Sequence, residues 1–197
     1  MTKAEAASSA MPGQQSSAAF ARAAGFAGAV AAAAMAFVGT SRYGIAVASD
    51  GLAYVSAAEG LLSGRGFVLS DGRPFAGWVP LYPLALAAFG IVGIDVVTAA
   101  RLFSVLSFAG IAAATALWLH RARVGHAELL FGVTSVVVSV PLLDAWRSSW
   151  SELLFILLVL ATLAALERHL REGTWGAVVV ASFAAGLACL TRYAGVG

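Results

Sequence analysis

Apolar runs close to bilayer length recur along this chain and leave few folds open to it. They cover Ala23 to Thr40, Leu102 to Leu119, Leu129 to Leu143, Leu153 to Leu166 and Trp175 to Leu190. A helix crosses a membrane with roughly 20 predominantly apolar residues. With 60% of residues hydrophobic and only 11% charged, the chain cannot cover a soluble surface. We therefore expect an all-α, polytopic membrane helix bundle of about five transmembrane helices. The formal net charge of +2 is too small to recruit nucleic acid. The basic residues stand at the ends of the apolar runs, as membrane topology requires.

Residues 1–22 are rich in Ala, Ser and Gln and read as a disordered cytoplasmic tail. The first transmembrane helix is expected over 23–41. It could also be a signal-peptide core, with Ala46-Val47-Ala48 as a small-x-small cleavage site, but its length favours an uncleaved helix. Lys3 and Arg22 then place the N-terminus in the cytoplasm of a multi-pass cell-membrane protein. Cys189 is the only cysteine, so no internal disulfide forms. His120, His126 and His169 lie in short basic connections and read as interfacial polar residues rather than metal ligands.

Residues 42–100 form the longest polar-containing interval and are expected to be an extracytoplasmic loop with juxtamembrane helices. A short interfacial helix should begin near Ser49, with Leu52, Val55 and Leu62 on its apolar face and Ser56, Glu59 and Ser63 away from it. Gly64 is its C-terminal stop. Ser70 to Pro74 reads as a turn, and Trp78 and Tyr82 suit the headgroup level. Leu84 to Ile94 is apolar but short, with Pro80 and Pro83 before it and Asp95 after it. If it stays on the surface, the basic clusters at 120–123 and 168–171 are both cytoplasmic; if it crosses, both are external, against the usual bias. The non-crossing reading makes 101–197 four further transmembrane helices, with 144–152 an external turn. The small residues of the last run allow close helix packing.

Asp50 follows the first span on the outer side, where a carboxylate can act as general base towards an acceptor hydroxyl. An Asp opening a helix is also an ordinary N-cap or first-turn residue. Glu152 opens another span on the same side and carries the same two readings. In this topology Asp50, Glu59, Asp71, Asp95, Asp144 and Glu152 share one compartment, which invites a polar substrate or a divalent cation held by oxygen. Glu59 and Asp71 read individually as solvated loop residues. Arg101, Arg147 and Arg192 lie at external span ends, where guanidinium groups either bind phosphate or snorkel to the interface.

Several of these residues fall into an ordered pattern: Asp50-Gly51-x-x-Tyr54, Ala57-Ala58-x-Gly60-Leu61-Leu62-x-Gly64-x-Gly66-Phe67 and Pro80-Leu81-Tyr82-Pro83. Ala100-Arg101-Leu102, Ser151-Glu152-x-Leu154-Phe155 and Leu190-Thr191-Arg192-Tyr193-Ala194-Gly195 follow. The pattern resembles the N-terminal portion of GT-C superfamily membrane glycosyltransferases, and more closely bacterial relatives of protein O-mannosyltransferases and of the aminoarabinose transferases of lipid A. The resemblance implies a polyprenyl-phosphate-linked sugar donor, an acceptor hydroxyl on protein, lipid or glycan, and an extracytoplasmic active site. It implies that Asp50 is the catalytic base, that Glu152 is a second acidic site residue where many relatives have Asp, and that Arg192, where many have Lys, meets the lipid phosphate. Arg147, at an external span end, is a further candidate for that phosphate by its position alone. Such proteins usually carry more spans, so the chain is expected to be the first part of a longer module. The alternative is a non-enzymatic membrane scaffold or an inactive truncated fragment; the near absence of charge inside the spans argues against a transport pathway.

Overall fold

A computed structural model describes residues 12–196. Among them are eight α-helices and a closing 3-10 turn, and no strand. The helices are α1 (Pro12–Gly39), α2 (Asp50–Leu62), α3 (Leu81–Ile91), α4 (Val96–Arg121), α5 (His126–Val137), α6 (Val140–Arg147), α7 (Glu152–Glu172) and α8 (Trp175–Cys189), with the 3-10 turn at Tyr193–Val196. The all-α expectation holds. Three helices are long and apolar enough to cross a membrane, and a fourth crossing is available if α5 and α6 count as one bent span. These are the helices of a multi-pass membrane protein, with fewer full-length spans than the five expected.

Two of the expected spans account for the difference. Leu129 to Leu143 is not one straight helix: α5 and α6 meet at 42°. Pro141 explains the break, because its ring clashes with the carbonyl four residues earlier, at Val137, and it offers no N–H. As a result Asp144 to Arg147 are helical rather than part of a turn. At 15 residues, α8 spans only about 22 Å, short of the roughly 30 Å hydrocarbon core. Its end is fixed from outside, since the Leu190 carbonyl accepts the Leu81 N–H of α3 at 2.9 Å.

At its start α1 is longer than expected. Pro12 suits the first helical turn, and the alanine-rich segment that follows has high helix propensity. Packing then holds it: Ala21 and Ala24 are buried with Leu129 and Val133 of α5, and Phe20 lies 4.1 Å from the His126 ring. The expected tail is therefore helical over 12–22, and its remaining residues lie outside the described ones. At the other end of α1, Arg101 of α4 donates to Thr40 Oγ1 at 2.8 Å and to the Phe37 carbonyl at 2.7 Å. Its guanidinium also lies over the Phe37 ring. Arg101 thus satisfies a helix C-terminus.

The two short apolar helices sit on one end of this bundle. α2 and α3 pack on the first turns of α4 through Tyr54, Ala57, Ala58, Tyr82, Leu86, Ala99 and Ala100. The expected apolar face of α2 is buried only in part: Val55 is covered, but Leu52 and Leu62 are exposed, while Gly51, Ala53, Tyr54, Ser56, Ala57, Ala58 and Gly60 are covered. At Gly51 and Gly60 neighbouring backbone comes so close that an added Cβ would meet the Ser149 or Gly66 carbonyl oxygen. α2 does end where expected, with Gly64 at φ 73 two residues past Leu62. α3 is too short to cross, in keeping with the non-crossing reading.

The bundle has two chemically different ends. One gathers the C-termini of α1, α6 and α8 with the N-termini of α4 and α7, joined by Arg101–Thr40, by Ala46 N–H to the Arg147 carbonyl at 2.8 Å, and by Leu81–Leu190. The other gathers Arg22 beside His120, and Arg121 beside Arg168 and Arg171. Asp50 and Glu152 belong to the first end and both basic clusters to the second.

Candidate active site

At the α2 end a cavity of about 280 Å³ is lined by Asp50, Tyr54, Gly77, Trp78, Val79, Arg192 and Tyr193. That lies near the lower bound of small-ligand pockets, about 300 Å³. Asp50 and Tyr54 are one helical turn apart and therefore share a face of α2. Asp50 opens that helix, yet its carboxylate is not used as a cap: Oδ1 accepts the Trp78 indole N–H at 2.9 Å. Trp78 is itself held by stacking on Phe75, centroids 5.5 Å apart and planes 23° apart, with Phe67 stacked behind at 5.8 Å. One carboxylate oxygen is thus fixed by a rigid donor, and Asp50 is only half-buried, so its second oxygen can meet a substrate.

Glu152 and Arg192 enter from the other side. Arg192 follows α8 and forms an ion pair with Glu152 in the first turn of α7, the two side chains being 30% and 28% exposed. Glu152 Oε2 is buried without a partner. Ser151, at the N-cap position of α7, makes no side-chain cap. Its hydroxyl instead shares a 3.2 Å hydrogen bond with Tyr54 Oη, which ties α2 to α7. Burial raises the Tyr54 phenol above its usual range; the Ser151 bond opposes this, and Asp50 raises it further. Arg192 pulls it down and Glu152 pushes it up by smaller amounts. Tyr54 therefore stays protonated and serves as a neutral O–H in the site. Tyr82, behind it at 5.2 Å, is buried with no partner for its hydroxyl, and burial pushes that phenol up as well.

Backbone geometry brings these elements together. The segment before α2 pairs with the segment before α7 through a parallel bridge at Ala46 and Ser148, with Ser149 N–H donating to the Ala46 carbonyl at 2.9 Å. Between that bridge and Asp50, Ser49 is forced to φ 51, a region non-glycine residues seldom occupy. Gly51 then passes directly over Ser149. A Cβ at Gly51 would overlap Ser149 Oγ and lie 3.1 Å from the Ser149 carbonyl oxygen. Gly51→Ala is accordingly expected to cost about 2 kcal/mol through overpacking, read by thermal unfolding in detergent. Part of the loss should return when Ser149→Ala is added; two independent, additive losses would refute the contact.

The structure sorts the expected site residues. Asp50 and Arg192 line one cavity, and Glu152 reaches it through its ion pair with Arg192. Arg147 is exposed at the end of α6 and does not line that cavity. Of the six carboxylates expected on one side, only Asp50 lines the cavity, with Glu152 paired to its Arg192. Asp95 caps α4 through the Thr98 N–H at 2.9 Å, and Glu59 and Asp144 are exposed. Asp71 closes its turn on Arg73, whose backbone N–H and guanidinium hold the carboxyl below its usual range. No group of three His, Cys, Asp or Glu side chains that could hold a metal occurs among the described residues.

Of the two aromatic residues expected at the headgroup level, Tyr82 is fully buried within the protein, and Trp78 donates its N–H to Asp50. Tyr54 appeared only as a spaced position in the pattern beginning at Asp50, and the four-residue interval was the signal that places both on one helix face. Comparison with protein-family models, with characterised proteins and with solved structures finds no match for this chain.

Proposed function

We propose that this chain carries the extracytoplasmic site of a membrane glycosyltransferase, moving a sugar from a polyprenyl-phosphate donor to an acceptor hydroxyl. The observation that carries the reading is that Asp50 and Arg192 line one cavity. A base and a cation so placed are what displacement at a sugar C1 requires. The acceptor oxygen forms its bond to C1 while its proton passes to the free oxygen of Asp50. The C1–O bond to phosphate breaks, the electron pair leaves with the phosphate, and Arg192 stabilises that anion. Glu152, in this reading, is a positioning residue that aims Arg192 rather than a second base. Trp78 holds Asp50, and its ring, with Tyr193, offers the cavity an aromatic wall for the sugar. The N-terminus is cytoplasmic and the cavity external, with Arg22 and the clusters at 120–123 and 168–171 on the inner side.

The reading is tested with the full chain in proteoliposomes and a polyprenyl phosphate carrying a photoreactive group near its phosphate. Crosslinks are expected on the Arg192–Tyr193 segment or on Trp78, and should be displaced by a polyprenyl-phosphate hexose. Labelling that ignores the competitor, or that falls only on the basic end, would remove the donor assignment.

A further inference from the structure

The opposite end of the bundle holds a second cavity, of about 270 Å³, between the last turn of α4 and the last two turns of α7. Its lining is ionic: Arg121, Glu167, Arg168, Arg171 and Glu172. Arg168 pairs with Glu172 and Arg171 with Glu167 Oε1, each at 2.8 Å. Arg121 forms none of the ion pairs found among the described residues. Glu167 Oε2 is buried with no hydrogen-bond partner. The cavity therefore has one cation in excess, and a guanidinium without a counter-ion is a phosphate site in waiting.

The cavity's surroundings narrow the ligand further. On α7, Leu166 and Leu170 are 41% and 84% exposed, and Trp175 at the start of α8 is 76% exposed. Hydrocarbon surface and an interfacial aromatic thus lie along the same helix ends as the ionic lining. A free anion would use the charge and leave that apolar surface unexplained. Basic pockets between membrane helices take lipid headgroups.

We propose that this cavity binds the headgroup of one anionic phospholipid, such as a phosphoglycerol lipid. Its phosphate meets Arg121, and its acyl chains lie along Leu166 and Leu170. The lining's single positive excess favours a headgroup of net negative charge over a zwitterionic one. The inference does not rest on the transferase reading; it needs only that α4 and α7 stand in a bilayer.

The test is native mass spectrometry of the full chain released from nanodiscs containing equal phosphatidylglycerol, phosphatidylethanolamine and phosphatidylcholine. One retained phosphatidylglycerol is expected. Arg121→Gln should lower its retention about fivefold, Arg121→Lys should restore much of it, and Arg42→Gln, at the other end of the bundle, should leave it unchanged. Thermal unfolding of each variant checks that it is folded. Equal retention of the three lipids, preference for phosphatidylethanolamine, or no effect of Arg121→Gln would overturn the proposal. Displacement of the lipid by millimolar inorganic phosphate would reassign the cavity to a free anion and overturn it too.

Discussion

Asp50→Asn is expected to lower sugar transfer about 10³-fold in kcat while leaving insertion and unfolding temperature unchanged. Asparagine has nearly the same shape. Its carbonyl oxygen can still accept the Trp78 N–H, now 2.9 Å from Asp50 Oδ1, and the start of α2 makes no side-chain cap that the change would break. What disappears is the capacity to take a proton from the acceptor. Because structure and binding are preserved, the loss should appear in kcat with little change in KM for the lipid-linked donor. Membranes containing the variant should insert the chain to the same extent, as shown by protease protection. A variant that transfers sugar as fast as the parent would remove Asp50 from the chemistry and, with it, the base of the proposed reaction.

Arg192→Ala should produce two separable losses. Transfer should fall about 10²-fold, the usual cost of removing one group that stabilises developing negative charge. Stability should also fall, by about 2 kcal/mol, because Glu152 would keep a poorly solvated carboxylate without its partner. Glu152 Oε2 already lacks a hydrogen bond, so the removal of Arg192 leaves both oxygens unpaired. The double variant Arg192→Ala/Glu152→Gln separates the roles. Its neutral amide no longer needs a cation, so unfolding temperature should recover; transfer should not, since the leaving phosphate still lacks its positive charge. Recovery of both would mean that Arg192 serves only to neutralise Glu152. Glu152→Gln alone should be milder, with KM for the donor rising more than kcat falls, as befits a residue that aims the arginine.

The candidate site was legible in part because some of it is local. Asp50 and Tyr54 lie one turn apart in a short helix that begins ten residues past the end of the first apolar run, and Glu152 opens another. The roles of their neighbours were not legible. Trp78 has the composition of an interfacial anchor, and its inward turn depends on the stacking of Phe75 and Phe67, which bring its N–H to Asp50 from 28 residues away. Only part of the buried face of α2 was legible: Val55 is covered as expected, but Leu52 and Leu62 are exposed while Gly51 and Gly60 are covered, because neighbouring backbone approaches α2 at those two glycines.

The amino-acid order alone determined the membrane class, the all-helical architecture and the short third helix, because each follows from the length and polarity of one continuous segment. Pro141 decides the bend between α5 and α6 in the same local way. Only the tertiary structure decided that Arg192 meets Glu152, that Tyr54 shares a hydrogen bond with Ser151 across 97 residues, and that Arg101 closes the end of α1. The physical reason is one of range. Helix formation and membrane partition are set within a few turns of chain, but a hydrogen bond or ion pair forms only where packing brings two distant groups within about 3 Å.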